Sequence, residues 1–370
     1  MPLAFCLLLL ASCSHRRGGS PSLLVRPTVK IGLVAPFEGR YRYVGYDVIY
    51  AVRLALREAN AAGGVGGYSV ELVAYDDGAD SAMAVEQARK LAADPAVVAA
   101  VAHFREETIA AALDVYAEAG IPLVAPAVFA PALTRGEAEV YRLAPSAEVV
   151  AGALLQHVEE LGHSQAALVT EGGPLGAALQ QLAPLHWARI EPVASPGDAD
   201  WLGDVTTSDM EVVLCDADPV AAGEVISALR AAGWDGAFLG GPELAASGFA
   251  AVAGEAAGGA VFVTPWPFPA DVSGGADFAD SYRAVSSGVP PGPLALLAYE
   301  ATWVLLEALE RTVAAHGEPT RDGMATALSA TRREGELGRI TFDAARAWDD
   351  APLYWYYIGA EGVARPVGGE

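Results

Sequence analysis

Val29-Lys30-Ile31-Gly32-Leu33-Val34-Ala35 is a short apolar run of the kind buried on both faces of a parallel sheet. The loop after it, Pro36-Phe37-Glu38-Gly39-Arg40-Tyr41-Arg42-Tyr43-Val44-Gly45, is rich in aromatic and basic side chains. Val48, Ala51, Val52, Ala55, Leu56 and Ala59 then recur at helical spacing and make one apolar stripe. Gly63-Gly64 stops that helix, and Tyr68-Ser69-Val70-Glu71-Leu72-Val73-Ala74-Tyr75 is a second strand that halts at Asp76-Asp77-Gly78. The unit is βαβ, and its crossover is expected to be right-handed.

Outward from this unit the alternation continues. Met83, Ala84, Ala88, Leu91 and Ala92 stripe a helix, Val97 to Ala102 is a buried strand, Ile109, Ala112, Leu113 and Tyr116 stripe another helix, and Ile121 to Ala125 is the next strand. The pattern pauses near Tyr141-Arg142-Leu143-Ala144-Pro145-Ser146. A second series follows, with strands at 165–170, 189–193, 212–215, 237–240 and 260–263. A long helix carrying Leu297, Ala301, Val304, Leu305 and Ala308 comes after Pro290-Pro291-Gly292-Pro293. Alternating strands and helices predict an α/β protein with two doubly wound parallel-sheet lobes, whose ligands sit at the carboxyl ends of strands.

Several phrases in this order are similar to those of leucine/isoleucine/valine-binding proteins. They are Ile31-Gly32-Leu33-Val34-Ala35-Pro36, Glu58-Ala59-Asn60-Ala61-Ala62-Gly63-Gly64, Glu71 to Asp77, Asp114-Val115-Tyr116, Gly120-Ile121-Pro122, Ala130-Pro131-Ala132-Leu133-Thr134, Gly241-Pro242-Glu243 and Ile340-Thr341-Phe342-Asp343. The resemblance covers nearly everything after residue 28. It implies a type I periplasmic solute-binding protein that serves a branched-chain amino-acid-type ABC transporter. It further implies that the chain interlaces the lobes, with 29–143 and 266–335 forming the N-terminal lobe and 144–265 and 336–370 the C-terminal lobe. Crossings near 143, 265 and 336 would make a three-segment hinge.

The chain has 370 residues, 53% of them hydrophobic and 19% charged, enough for two cores. A formal net charge of −23 repels nucleic acid and anionic membrane surfaces, so neither is an expected partner. Leu3 to Leu10 is too short an apolar run to span a bilayer, which takes roughly 20 residues, and Leu10-Ala11-Ser12-Cys13 resembles a lipobox. Residues 1–13 are therefore expected to be a signal peptide with Cys13 as the lipidation site, and 14–28 a tether. An ordinary signal peptide in which Cys13 is incidental is the alternative. No Lys or Arg precedes the apolar run. Export to the periplasm or cell surface, with membrane attachment only through the lipid, follows. Cys215 is left alone in a strand as a small apolar filler, so neither a disulfide nor a thiolate metal site is expected.

Candidate ligand contacts are the residues just after strands: Tyr41, Tyr43, Phe104, Arg105, Glu106, Thr108, Val128 and Phe129 from the first lobe, and Glu171, Asp216, Asp218 and Glu243 from the second. In the family that the chain resembles, Ser and Thr after two first-lobe strands hold a ligand carboxylate. The matching positions here are Arg105 to Thr108 and Val128-Phe129, where only Thr108 keeps a hydroxyl. This departure points away from a branched-chain amino acid. Glu243 falls where the family places the acid that pairs with the ligand ammonium. The tyrosine that the family carries near Ala217 or Asp218 is absent. Arg105 could fork a carboxylate, whereas the aromatics (with Trp266 as a further candidate) and the acids suit an amine. A competing use for Arg105, Glu106 and Glu107 is to start the following helix and pair with one another.

Catalytic patterns are missing. Neither Gly-x-x-x-x-Gly-Lys-Ser/Thr nor Gly-x-Ser-x-Gly occurs, and the six histidines show no metal spacing. Gly172-Gly173-Pro174-Leu175-Gly176 could receive an anion at a helix start or simply make a turn. The expectation is a monomeric, non-enzymatic receptor without cofactor that closes on a small polar solute, amino-acid-like or amine-bearing, and delivers it to an ABC permease. A sensor for a membrane receptor is the alternative, and an α/β enzyme a more distant one.

Overall fold

The computed structural model of the protein describes residues 26–186, 189–193, 201–206 and 210–368. The first sheet holds five parallel strands, β1 (Thr28–Ala35), β2 (Ser69–Asp76), β3 (Val97–Val101), β4 (Leu123–Ala125) and β5 (Val140–Arg142), in the order β2-β1-β3-β4-β5. Strands β6 (Gln165–Thr170), β7 (Arg189–Val193), β8 (Val212–Asp216), β9 (Ala237–Gly240) and β10 (Val261–Thr264) form the parallel part of the second sheet. A hairpin of β11 (Arg333–Gly335) and β12 (Gly338–Ile340) stands apart. Last come β13 (Tyr354–Ile358) and β14 (Ala364–Pro366), which extend the second sheet to seven strands, ordered β14-β13-β10-β9-β8-β6-β7. Both of these late strands pair antiparallel, a mixed edge on an otherwise parallel sheet.

Each sheet is covered on both faces, which explains the unbroken apolar run of β1. Ile31, Leu33 and Ala35 enter one core while Val34 enters the opposite one, as the two-residue period of a strand requires. The helix Arg42–Ala61 buries its whole predicted stripe, Val48 to Ala59, against that first core. Its start lies so close to the preceding loop that Gly45 N donates to the Pro36 carbonyl at 3.2 Å, and a Cβ at Gly45 would collide with that carbonyl. At its other end the Asn60 amide bonds both ways to Val70 of β2, at 2.8 and 2.9 Å, and so fixes helix to strand.

The chain passes between lobes at three places. After Arg142 it enters the helix Ala147–Glu160 of the second core, and after Thr264 it returns, with Trp266 already in the first core. The helix Ala295–His316 also belongs to that core, and thirteen of its residues are buried. The third passage corrects the expected one near 336. Leu337, Ile340 and Trp348 lie in the first core, Arg142 N donates to the Arg346 carbonyl and Trp348 N to that of Arg142, and the chain joins the second sheet only at Tyr354. Residues 336–350 thus complete the first lobe. Their expected place in the second lobe came from the family resemblance and not from any periodicity of their own. Among the described residues no helix is long and apolar enough to cross a membrane. Cys13 and the residues around it lie outside those described.

Candidate ligand-binding cleft

In a doubly wound sheet the loops diverge where successive strands are added to opposite sides, and the gap between them is the natural place for a ligand. The first sheet switches between β1 and β3, and the second between β6 and β8. The four loops after these strands carry Arg40 to Tyr43, Phe104-Arg105, Glu171 to Gly173 and Ala217-Asp218, and they face one another. Between them lies a cleft of about 610 Å³.

Tyr41, Phe104, Arg105, Glu106 and Phe129 line it from the first lobe, and Glu171, Asp216, Asp218 and Glu243 from the second. The Arg105 guanidinium lies 4.0 Å from the centre of the Tyr41 ring, a cation–π stack, and its Nε donates to Glu107 at 2.9 Å. The loop bearing Phe104 and Arg105 is braced from below. The buried His103 sets Nδ1 2.7 Å from an Asp77 carboxylate oxygen and Nε2 3.0 Å from the Tyr116 hydroxyl. A smaller recess beside the cleft holds Tyr43, Trp266, Pro293 and Leu294. Asp47 fixes its wall, with one carboxylate oxygen accepting from Gly292 N at 2.6 Å and the other from Leu294 N at 2.7 Å.

Among the described residues, four polar side-chain contacts reach across the cleft from one lobe to the other. Arg40 pairs with the buried Asp218 and stands 3.7 Å from Glu171. The Tyr43 hydroxyl is 3.5 Å from Glu243, and Arg105 is 4.0 Å from the same carboxylate. Arg40 is half-exposed, and the buried Asp218 keeps the Val220 N–H when the pair is broken, so the expected effect of removing Arg40 is on the balance between open and shut forms. Arg40→Ala is expected to raise the radius of gyration of the ligand-free protein in solution scattering with little change in melting temperature. An unchanged radius would deny Arg40 that role.

The sequence profile of the periplasmic binding proteins matches residues 28–359. The chain belongs to this family. Among relatives of this binding protein, a leucine-, isoleucine-, valine-, threonine- and alanine-binding protein of Pseudomonas aeruginosa is 27% identical over 330 residues, covering 85% of this chain and 86% of the relative. A Leu/Ile/Val-binding protein of Rhizobium johnstonii is 27% identical, over 86% of this chain and 88% of its own. In fold it is similar to a leucine-binding protein of Thermotoga maritima (TM-score 0.82, 22% identity, covering 92% of this chain and 98% of that one). It is equally similar to an isoleucine-bound substrate-binding protein of Streptococcus pneumoniae (TM-score 0.81, 24% identity, 92% and 99%).

Two of the residues expected at the site of this binding protein lie elsewhere. Thr108 is buried in the first turn of the helix Glu106–Ala119, where its hydroxyl donates to the Arg105 carbonyl. Val128 is buried in the core beneath β4. Tyr43 lines the small recess rather than the main cleft. Sequence reading also missed apolar wall residues such as Ala110, Ala147, Val150 and Leu175, which sit on helices and look like ordinary core positions.

Of the two uses weighed for the Arg105 to Glu107 stretch, the pairing is present. Glu107 pairs with Arg105, and both side chains border the cleft. Glu106 reaches back to accept from Phe129 N at 2.5 Å and Ala130 N at 3.2 Å. The glycine turn before the helix Pro174–His186 is filled from inside: Asp216 accepts from Gly176 N at 2.8 Å and from the Thr170 hydroxyl at 2.9 Å. A Cβ at Gly176 would strike that same hydroxyl, so only glycine lets the pair approach.

Burial raises the pKa of Glu243, with Arg105 pulling it back down. Burial also raises Asp216, opposed by Thr170 and Gly176, and raises Glu106, opposed by the amides of Phe129 and Ala130. At Arg105 burial works against the charge, but Glu107, Tyr41 and Glu243 outweigh it and the pKa rises. Six acidic side chains line the cleft, against Arg105 as its one basic side chain among the described residues.

Proposed function

We propose that this protein is an extracytoplasmic receptor that captures a small polar, amine-bearing solute by closure of its two lobes and delivers it unaltered to an ABC permease. The observation that carries the reading is the position of Glu243. It projects from the second lobe into the cleft opposite Arg105 and Tyr41, with Tyr43 of the adjoining recess nearby, and among the described residues the polar contacts of its carboxylate are no shorter than 3.5 Å. An ammonium placed there gains a charge-assisted hydrogen bond in a site shielded from water. Because such a ligand touches both lobes only when they are shut, it stabilises the shut form by its differential affinity for it. That form is the one a permease would recognise.

The kinship with Leu/Ile/Val-binding proteins supports transport as the role. The test is a thermal-shift screen of amino acids, amines, amides and carboxylates, followed by scattering with each hit. At a hundred times the dissociation constant a ligand adds about 2.7 kcal/mol of stability, easily seen as a rise in melting temperature. A hit that also lowers the radius of gyration supports closure, and a screen without any hit would remove the reading. Anchorage through Cys13 is proposed from the sequence. Cys13→Ser should release the protein from membranes and abolish labelling by a fatty-acid probe, whereas persistent labelling would rule the anchor out.

A further inference from the structure

Several of the hydrogen-bond donors along the cleft are already committed. Phe129 N and Ala130 N point at Glu106, Gly176 N and the Thr170 hydroxyl at Asp216, Asp218 N at Glu171 (2.8 Å), and Val220 N at Asp218 (2.9 Å). Each of these donors already holds one of the protein's own carboxylates, Val220 N as part of the cap of the helix Pro219–Ala231. The cations are committed as well, Arg40 to Asp218 and Arg105 to Glu107 and the Tyr41 ring. A ligand carboxylate would have to displace tethered carboxylates, and would then lie beside them.

Acceptors and aromatic faces are open in the same volume. Glu243 has only long contacts, and the second carboxylate oxygen of Glu106 is buried with no hydrogen-bond partner among the described residues. Tyr41, Phe104 and Phe129 supply ring surface to the same volume. Six acidic side chains line the cleft with Arg105 as its one basic side chain among the described residues.

Resting on the reading of the protein as a solute receptor, we infer that its ligand is an organic cation without a carboxylate: a primary amine, amidine or guanidine on a short apolar or aminoalkyl stem. Glu243 accepts from the charged head, the aromatic rings cover its flanks, and the filled amide sites exclude the parent amino acid.

The experiment is calorimetry on the mature protein with pairs differing only by the carboxylate: isoamylamine and leucine, cadaverine and lysine, agmatine and arginine. The expected result is that the decarboxylated member of at least one pair binds ten-fold or more tighter than its parent. Equal or tighter binding of the amino acids, or no binding by any of the amines, overturns the inference. If amino acids or neutral solutes bind and close the lobes, only this inference falls. If nothing in the wider screen closes them, the receptor reading falls too. A second arm uses Glu106. Glu106→Ser frees the Phe129 and Ala130 amides and should narrow the preference for the amine by raising amino-acid affinity. Glu106→Gln still fills those amides, so it should weaken amine binding without any gain for the amino acid. The same preference in wild type and both variants would contradict the blocked-amide account.

Discussion

Glu243→Ala is expected to abolish the thermal shift produced by an amine ligand at concentrations that saturate the wild type. Truncating one member of a desolvated, hydrogen-bonded charge pair costs about 2–5 kcal/mol, roughly thirty- to several-thousand-fold in affinity. Glu243 has no competing close partner to hold it back, so most of that loss should appear. Glu243→Gln keeps an acceptor but drops the charge, and should fall between the two. The unliganded fold should survive the change, since the side chain projects into the cleft and not into either core. Titration calorimetry reads both effects; unaltered affinity would take Glu243 out of the site.

The same residue sets a pH dependence. Burial holds its pKa above the ordinary glutamate value of 4.5. Its contribution to the stability of the empty protein is therefore fully present below the ordinary value and is lost as pH rises through the raised folded value. A bound ammonium favours the ionised form, so amine affinity should fall on acidification through that window. The melting temperature of the empty protein should drift the opposite way. Asp216 and Glu106, raised by burial in the same manner, push in the same direction.

The largest effect on stability is expected at Glu300, in the helix Ala295–His316. Its carboxylate is fully buried and accepts from Arg333 Nε at 2.6 Å and from Glu336 N at 2.8 Å. Arg333 is 12% exposed, and its second nitrogen donates to Glu307 at 2.5 Å. This network clamps the β11–β12 hairpin over the first core, where Leu337 and Ile340 are buried. Glu300→Ala takes the buried carboxylate from a nearly buried guanidinium, which then keeps only Glu307, and strands the Glu336 N–H, a change that costs about 3 kcal/mol. Replacing the pair together with apolar side chains should cost less, since the only carboxylate that loses its partner, Glu307, is partly exposed to water. Melting curves of Glu300→Ala and of Glu300→Leu with Arg333→Met measure the difference. If the two variants are equally destabilised, the clamp is not electrostatic.

How far the sequence could be read follows from which interactions are local. The β1 run, the stripe from Val48 to Ala59 and the stop at Gly63-Gly64 are contacts over a few residues, and they appear in the structure as their spacing implied. Placing 336–350 in the second lobe failed because a short strand with a few apolar residues serves any core it can reach; its partners, Arg142 and the helix 295–316, are distant in the chain. At the cleft, loop positions after strands were legible. The directions of their side chains were not, so Thr108 and Val128 turned out to point into the fold. Glu106, Asp216 and Asp218 were recognisable as acids near a ligand. Asp218 before Pro219 carries the local signature of a helix cap, whereas the amides that engage Glu106 and Asp216 come from 23 and 40 residues away and leave none.

The account turns on a solute gripped between the two sheet ends, with its charged head on Glu243. A crystal structure of the protein with the tightest amine from the screen tests this directly. The predicted result is a nitrogen within about 3 Å of a Glu243 carboxylate oxygen, with the Tyr41 ring beside it and the lobes shut around it. An amine seated outside the cleft, or one within it whose nitrogen points away from Glu243, would contradict it.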